Sequence, residues 1–220
     1  MKALLVMLMK EIRLELRLQY AINSVFLFIA STTFVVYLAL QQSRAILNAP
    51  TWNALLWVVV IFAAINAIAK SFVQESEARQ LYYYQLVSPG IIIGSKMLYN
   101  FLLMMLMGWF SLGLYVIIFG NPLENFPIFL TNTLLGFLGL SAVMTLVSSI
   151  AAKTANSFTM MAVLGLPLII PLMLLIVRLS TIAIQDMGWE VAGFYLFLLG
   201  LLDVGVIILA FILFPFIWRS

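Results

Sequence analysis

The chain contains no cysteine and no histidine among its 220 residues. Their absence excludes disulfides, thiolate nucleophiles, imidazole proton shuttles and the two side chains that most often bind transition metals. Charged residues are scarce, at 9% of the chain, and no phosphate-binding loop of the form G-x-x-x-x-G-K-[ST] occurs. The sequence therefore predicts no metal site, no nucleotide site and no catalytic residue, and it gives no sign of a nucleic-acid partner.

Apolar residues dominate instead, at 65% of the chain with a mean hydropathy of +1.17. A bilayer core of about 30 Å needs roughly 20 apolar residues as helix, and a closed barrel would require alternating polar residues that this chain lacks. The predicted fold class is all-α, a polytopic membrane protein with one transmembrane domain over residues 1–220. Six spans are expected, at about residues 21–40, 53–69, 97–119, 129–151, 158–178 and 191–216.

Residues 1–19 have the pattern of an amphipathic helix that lies on the membrane surface. Apolar residues recur on one face at helical spacing: Leu5, Leu8, Met9, Ile12 and Leu16. Basic residues cluster on another face: Lys10, Arg13 and Arg17. A charged extension of the first span is the alternative, but a pattern of about five turns favours a separate interfacial helix.

Lysine and arginine lie mostly on one side of the predicted spans. Nine of the eleven share the side of the amino terminus: Lys2, Lys10, Arg13, Arg17, Lys70, Arg79, Lys96, Lys153 and Arg219. Arg44 and Arg178 fall on the other side. Because cytoplasmic loops carry the excess of basic residues, both termini are expected in the cytoplasm.

The longest polar connection, residues 71–96, is a candidate docking site for a soluble partner. It combines charged, apolar and aromatic side chains: Glu75, Glu77, Arg79, Leu81, Tyr82, Tyr83, Tyr84 and Leu86. A short helix with an aromatic face, held between two spans, suits a groove on a partner. Tyrosines at this depth also suit an aromatic belt at the lipid headgroups, and the residues alone leave both interpretations open.

Two prolines interrupt the fifth span. Pro167 and Pro171 are four residues apart, so they share a helix face, and neither can donate to the carbonyl four residues earlier. A kinked helix is expected. This face should point inward, because carbonyls without donors need protein or water around them in a bilayer.

Asp203 lies in the middle of the last span, where an acid costs about 2.5 to 3.5 kcal/mol to insert. It should face the protein interior, as a functional acid or as a hydrogen-bonded structural acid, for example at a dimer interface. No intramembrane lysine, arginine or histidine is expected to relay protons to it, which favours the structural acid over a proton pump. In the fourth span, Gly136 and Gly139 suit close packing of helices.

An interfacial first helix, six spans and a partner-facing segment after the second span resemble the permease subunits of type-2 ABC exporters. Four stretches are similar to the CcmB family, the haem-exporter permeases of cytochrome c maturation: residues 10–17, 72–96, 136–139 and 166–172. Phe72, Glu75, Leu81 and Lys96 keep the family pattern. Residues 79–84, which read RQLYYY, depart from the glycine and the Glu-Gln of that pattern.

The resemblance implies a non-catalytic permease of the bacterial inner membrane, a homodimer around two copies of a CcmA-like ATPase, with CcmC-, CcmD- and CcmE-like haem-handling partners. It implies docking of the ATPase at residues 75–86 and a translocation face at the two prolines. Haem is then a substrate of the complex, and this chain binds no cofactor directly. ATP acts through the partner ATPase, and its hydrolysis drives release of the haem-loaded chaperone. A permease for a lipid, glycan or drug is the alternative.

A membrane scaffold or an intramembrane enzyme is a third possibility. The enzyme is disfavoured because a serine protease would need a histidine, and a two-aspartate protease would need a second mid-membrane acid beside Asp203.

The asymmetry of basic residues predicts the topology. A reporter that is active only outside the cytoplasm should be silent when fused after Ser220 and active when inserted at Asn121 or Asp186. Activity after Ser220 would require an odd number of spans and would contradict the predicted fold.

Overall fold

The computed structural model describes residues 2–18, 20–43, 47–68, 87–154 and 157–219, most of which lie in helices. The helices are α1 (Lys2–Leu18), α2 (Tyr20–Ser43), α3 (Ala49–Ile68), α4 (Pro89–Phe119), α5 (Phe126–Ala151), α6 (Ser157–Ile184) and α7 (Gly188–Arg219). Within these ranges no strand occurs, and the predicted all-α class is confirmed.

Six of these helices are long and apolar enough to cross a membrane, judged by length and composition. They cover Asn23–Gln42, Ala49–Ile68, Pro89–Phe119, Phe126–Ala151, Thr159–Ile184 and Gly188–Ile217. The six predicted spans are therefore confirmed. Their ends shift most at the third span, which begins eight residues earlier than predicted, and at the fifth, which runs past Arg178 to Ile184.

The early start of α4 corrects the predicted extent of the cytoplasmic segment, which was placed at residues 71–96. Pro89 lies in the first turn of α4, where its missing N–H would have no helical partner in any case. Ser88 before it is extended, with φ −65° and ψ 144°. Residues 89–96 are thus the first turns of a spanning helix.

Helix α5 lies at the centre of the bundle and packs against α3, α4, α6 and α7. Small residues allow the closest contacts. Gly136 faces Ile176 of α6, Gly139 faces Asp203 of α7, and Gly108 of α4 lies directly against the Phe137 ring. The predicted close packing at Gly136 and Gly139 agrees with these contacts.

The end of the bundle that carries the α4–α5 and α6–α7 turns is tied together by Asn125. The Asn125 side chain accepts a hydrogen bond from the Ile128 N–H and so caps α5, and its Nδ2 donates to Oδ1 of Asp186 at 2.7 Å. The Asn125 N–H donates to the Ala183 carbonyl at 2.9 Å. The two turns therefore form one hydrogen-bonded unit.

Candidate functional site

The predicted docking residues, Glu75 to Leu86, lie outside the described residues. Both flanks of that stretch are described. Ile68, the last residue of α3, is fully buried, and its carbonyl accepts a hydrogen bond from Ser148 Oγ of α5 at 3.4 Å. The other flank leads into α4 at Pro89. Both ends of the candidate docking segment are therefore connected to the helix core.

A buried ion pair joins α4 to the amino-terminal helix. Lys96 Nζ lies 3.3 Å from Oε1 of Glu11, and the two side chains are 2% and 10% exposed. Lys10 also donates to the same Glu11 oxygen at 3.1 Å. Glu15, one turn beyond Glu11, lies close to the Tyr99 hydroxyl on α4. The acidic side chains of α1 thus face α4.

This contact determines which side of α1 packs on the bundle. Of the expected apolar face, Leu8 is buried, whereas Leu5 and Met9 are exposed. Met7 and Glu11, which lie outside that face, are buried as well. Helical periodicity identified the helix correctly. It could not identify the packed face, because the partner of Glu11 is a lysine 85 residues further along the chain.

Asp203 is 1% exposed and lies inside the bundle, between α7 and α5. Its carboxyl group occupies the space that a side chain at Gly139 would fill, with Leu172 of α6 beside it. Among the described residues, neither carboxyl oxygen has a hydrogen-bond partner. The interior position agrees with expectation, but burial within one chain rules against the suggested dimer-interface position. No metal-binding group of three or more acidic residues is found in the described ranges.

The two prolines lie on the exposed side of α6, so the expected inward orientation is wrong for the single chain. The helix runs through both without a break. Exposed residues form one stripe along it: Val163, Leu166, Pro167, Ile170, Pro171, Leu174 and Arg178. The sequence argument assumed that protein of the same chain would surround the freed carbonyls, whereas the buried face of α6 is the side that carries Ile169, Leu172 and Ile176.

Asparagine side chains inside the bundle were missed by the sequence reasoning. Asn53 Nδ2 of α3 donates to the Val177 carbonyl at 3.0 Å and to Thr181 Oγ1 at 3.1 Å. Asn132 Nδ2 of α5 donates to the Ile176 carbonyl at 3.0 Å. Both asparagines therefore hold the second half of α6. The available signal was an amide side chain within an otherwise apolar span, which usually faces another helix.

A third asparagine connects α4 and α5. Asn100 Nδ2 donates to Thr145 Oγ1 at 2.8 Å, and both side chains are fully buried. This contact lies one turn beyond Lys96 on α4. The first turns of α4 are thereby bonded to α1 on one side and to α5 on the other.

Six helices that can span a membrane, with an amino-terminal helix packed against them, define a multi-pass all-α membrane protein. The protein-family model described as CcmB protein matches residues 2–217. The chain belongs to the CcmB family, and its role is that of a haem-exporter ABC permease in cytochrome c maturation, in a system with an ATPase partner. No curated protein sequence matches the chain.

The buried ion pair generates a stability prediction. Lys96→Met should lower the free energy of unfolding by about 3 kcal/mol, because it leaves Glu11 buried without its α4 partner. The double variant Glu11→Gln/Lys96→Met should recover most of the loss. Thermal unfolding of the detergent-purified protein measures both.

Lys153→Met, at an exposed position in the turn after α5, is the control for loss of a lysine and should be neutral. A double variant less stable than Lys96→Met alone would contradict the assigned pairing.

The contact between Asp203 and Gly139 generates a second prediction. Gly139→Ala should cost about 1–3 kcal/mol, because the new methyl group overlaps the Asp203 carboxyl. Asp203→Ala in the same chain should restore most of this stability. Gly136→Ala is the matched control, with a smaller expected loss, since its methyl meets the flexible end of Ile176 at 3.0 Å. If the stability losses of Gly139→Ala and Asp203→Ala simply add in the double variant, Asp203 is not the reason why position 139 requires glycine.

Proposed function

We propose that this chain is the transmembrane subunit that couples ATP hydrolysis by a CcmA-like ATPase to haem delivery and to release of the haem-loaded chaperone. The family match over residues 2–217 carries the proposal, and the six spans agree with it. The subunit contributes no catalytic step of its own. Its sequence contains no nucleotide-binding loop, so hydrolysis belongs to the partner.

The ATPase docks on the cytoplasmic segment that contains Glu75 to Leu86. Support comes from the flanks of this segment. A displacement of the segment acts on α5 through the buried end of α3, where Ser148 bonds the Ile68 carbonyl. It acts on α1 through α4, where Lys96 binds Glu11. Docking at this place would therefore move the core and the amino-terminal helix together.

The exposed stripe of α6 forms the translocation face between two copies of the chain. Two prolines deprive the carbonyls of Val163 and Pro167 of their helical donors, and in hydrocarbon such carbonyls need protein or water. The described residues of the chain leave the stripe uncovered. A homodimer that brings two such stripes across a hydrated path meets this requirement.

Haem ligation belongs to the CcmC- and CcmE-like partners, with a CcmD-like protein in the same assembly. The chain has no histidine and no cysteine, and of the usual axial ligands of haem iron it contains only methionine and tyrosine. The complex lies in the bacterial inner membrane with both termini of this chain in the cytoplasm. The pairing of Glu11 with Lys96 and the position of Lys153 after α5 agree with a basic cytoplasmic end.

Replacement of Tyr82, Tyr83 and Tyr84 by alanine tests the docking. The triple variant should insert into the membrane normally, because these residues lie outside the six spans. The ATPase should no longer co-purify with the triple variant. Cells that carry this variant should fail to mature c-type cytochromes, while their other haem proteins stay normal. Haem staining of periplasmic cytochromes and pull-down of the ATPase give the two readouts.

Trp189→Ala is the matched control, since it removes an exposed aromatic side chain at the start of α7 and should affect neither readout. Normal ATPase binding and normal cytochromes in the triple variant would refute the docking site. Normal cytochromes in a deletion of the gene would refute the haem-export function itself.

A further inference from the structure

The charged residues of α1 are separated between its two faces. Glu11 is buried against Lys96, and Glu15 is half-buried near Tyr99, so both acids face α4. Arg13 is exposed on the opposite side. Lys10 lies between the two sides, 19% exposed, with its ammonium bonded to Glu11. The outward side of the helix therefore carries the positive charge of Arg13 without the acidic residues that alternate with it in the sequence.

Large apolar side chains lie between these cations. Leu5, Val6 and Met9 are 55%, 66% and 56% exposed. With Lys10 and Arg13 they line a shallow groove on the outward side of α1. We call these five residues the outer α1 face. Apolar side chains of this size, exposed beside two cations on one helix, are the composition of a helix that enters the lipid headgroup region.

We propose that the outer α1 face is a binding site for anionic phospholipid in the leaflet at the amino-terminal side of the bundle. The three apolar side chains enter the boundary between headgroups and acyl chains, and Arg13 contacts a lipid phosphate, while Lys10 stays bonded to Glu11 at the edge of the groove. The pair between Glu11 and Lys96 fixes the rotation of the helix, so that the acids stay away from the phosphates. This binding does not depend on haem transport or on the ATPase.

The location of α1 favours lipid over a soluble protein as the occupant. A single residue separates α1 from α2, a membrane span. On its inner side, Met7 packs into a buried cluster with Ile93 and Met97 from the first turns of α4. The helix thus lies at the level where the spans begin, and its outward side meets the membrane boundary. The charge on that side is complementary to an anionic headgroup.

Lipid titration of the full-length protein in detergent tests the proposal. Short-chain phosphatidylglycerol and phosphatidylcholine are added separately, and bound lipid is counted by native mass spectrometry. Phosphatidylglycerol should bind more tightly than phosphatidylcholine. Arg13→Gln leaves the contacts of Glu11 with Lys10 and Lys96 in place. It should weaken phosphatidylglycerol binding about fivefold and leave phosphatidylcholine binding unchanged.

Lys153→Gln removes an exposed lysine remote from α1 and should bind phosphatidylglycerol like the unmodified chain. Equal thermal unfolding midpoints of all variants in detergent alone show that a loss of lipid binding is not a loss of fold. Equal affinity for the two lipids, or unchanged phosphatidylglycerol affinity in Arg13→Gln, overturns the proposal. Hydrogen exchange of residues 2–18 in nanodiscs provides the second measurement. If residues 2–18 are protected only when the ATPase is present, and equally in phosphatidylglycerol and phosphatidylcholine, the outer α1 face binds a protein, and the proposal is overturned.

Discussion

The arrangement of the helices depends on one constraint: a polar group inside a bilayer must find its partner within the protein. Three asparagines donate hydrogen bonds between helices through Nδ2, from α3 to α6, from α5 to α6 and from α4 to α5. Their amide oxygens and the Asp203 carboxyl have no hydrogen-bond partner among the described residues. Ser148 adds a bond from α5 to the end of α3. In soluble proteins such bonds supplement hydrophobic packing, but in lipid they and close van der Waals contact are what hold helices together. Helix α5 is central because it takes part in three of these four bonds.

These contacts are distributed unevenly along α6. Its second half receives the bonds from Asn53 and Asn132 and buries Ile176, Leu179 and Ser180 completely. Its first half carries Pro167, with Pro171 just past the midpoint, and exposes most of one side. A helix held at one end and interrupted by prolines near its middle is free to bend at the interruption, since the missing backbone bonds lie there. Bending of α6 is therefore expected at the two prolines, away from the end that Asn53 and Asn132 hold.

Sequence predicted the number of spans well because length and mean hydropathy are local properties of each segment. The sequence-based prediction failed where the environment of a residue depends on a distant partner. A charged Lys96 suggested that the loop extends to residue 96, but Lys96 pairs with Glu11 inside the protein, and α4 begins at Pro89. The two prolines identified an unusual helix, yet their spacing shows only that they share a face. Which face α6 buries depends on Asn53, Asn132 and the glycines of α5.

Helix α1 is where three parts of the molecule meet. Its inner side is bonded to α4, its carboxyl end continues into α2 after a single residue, and its outer side carries cations and apolar side chains. A buried ion pair is expensive to break, so α1 and the first turns of α4 move as one unit. Asn100 bonds the same turns to α5. A displacement of the first turns of α4 would therefore reach both α1, through Glu11, and α5, through Thr145.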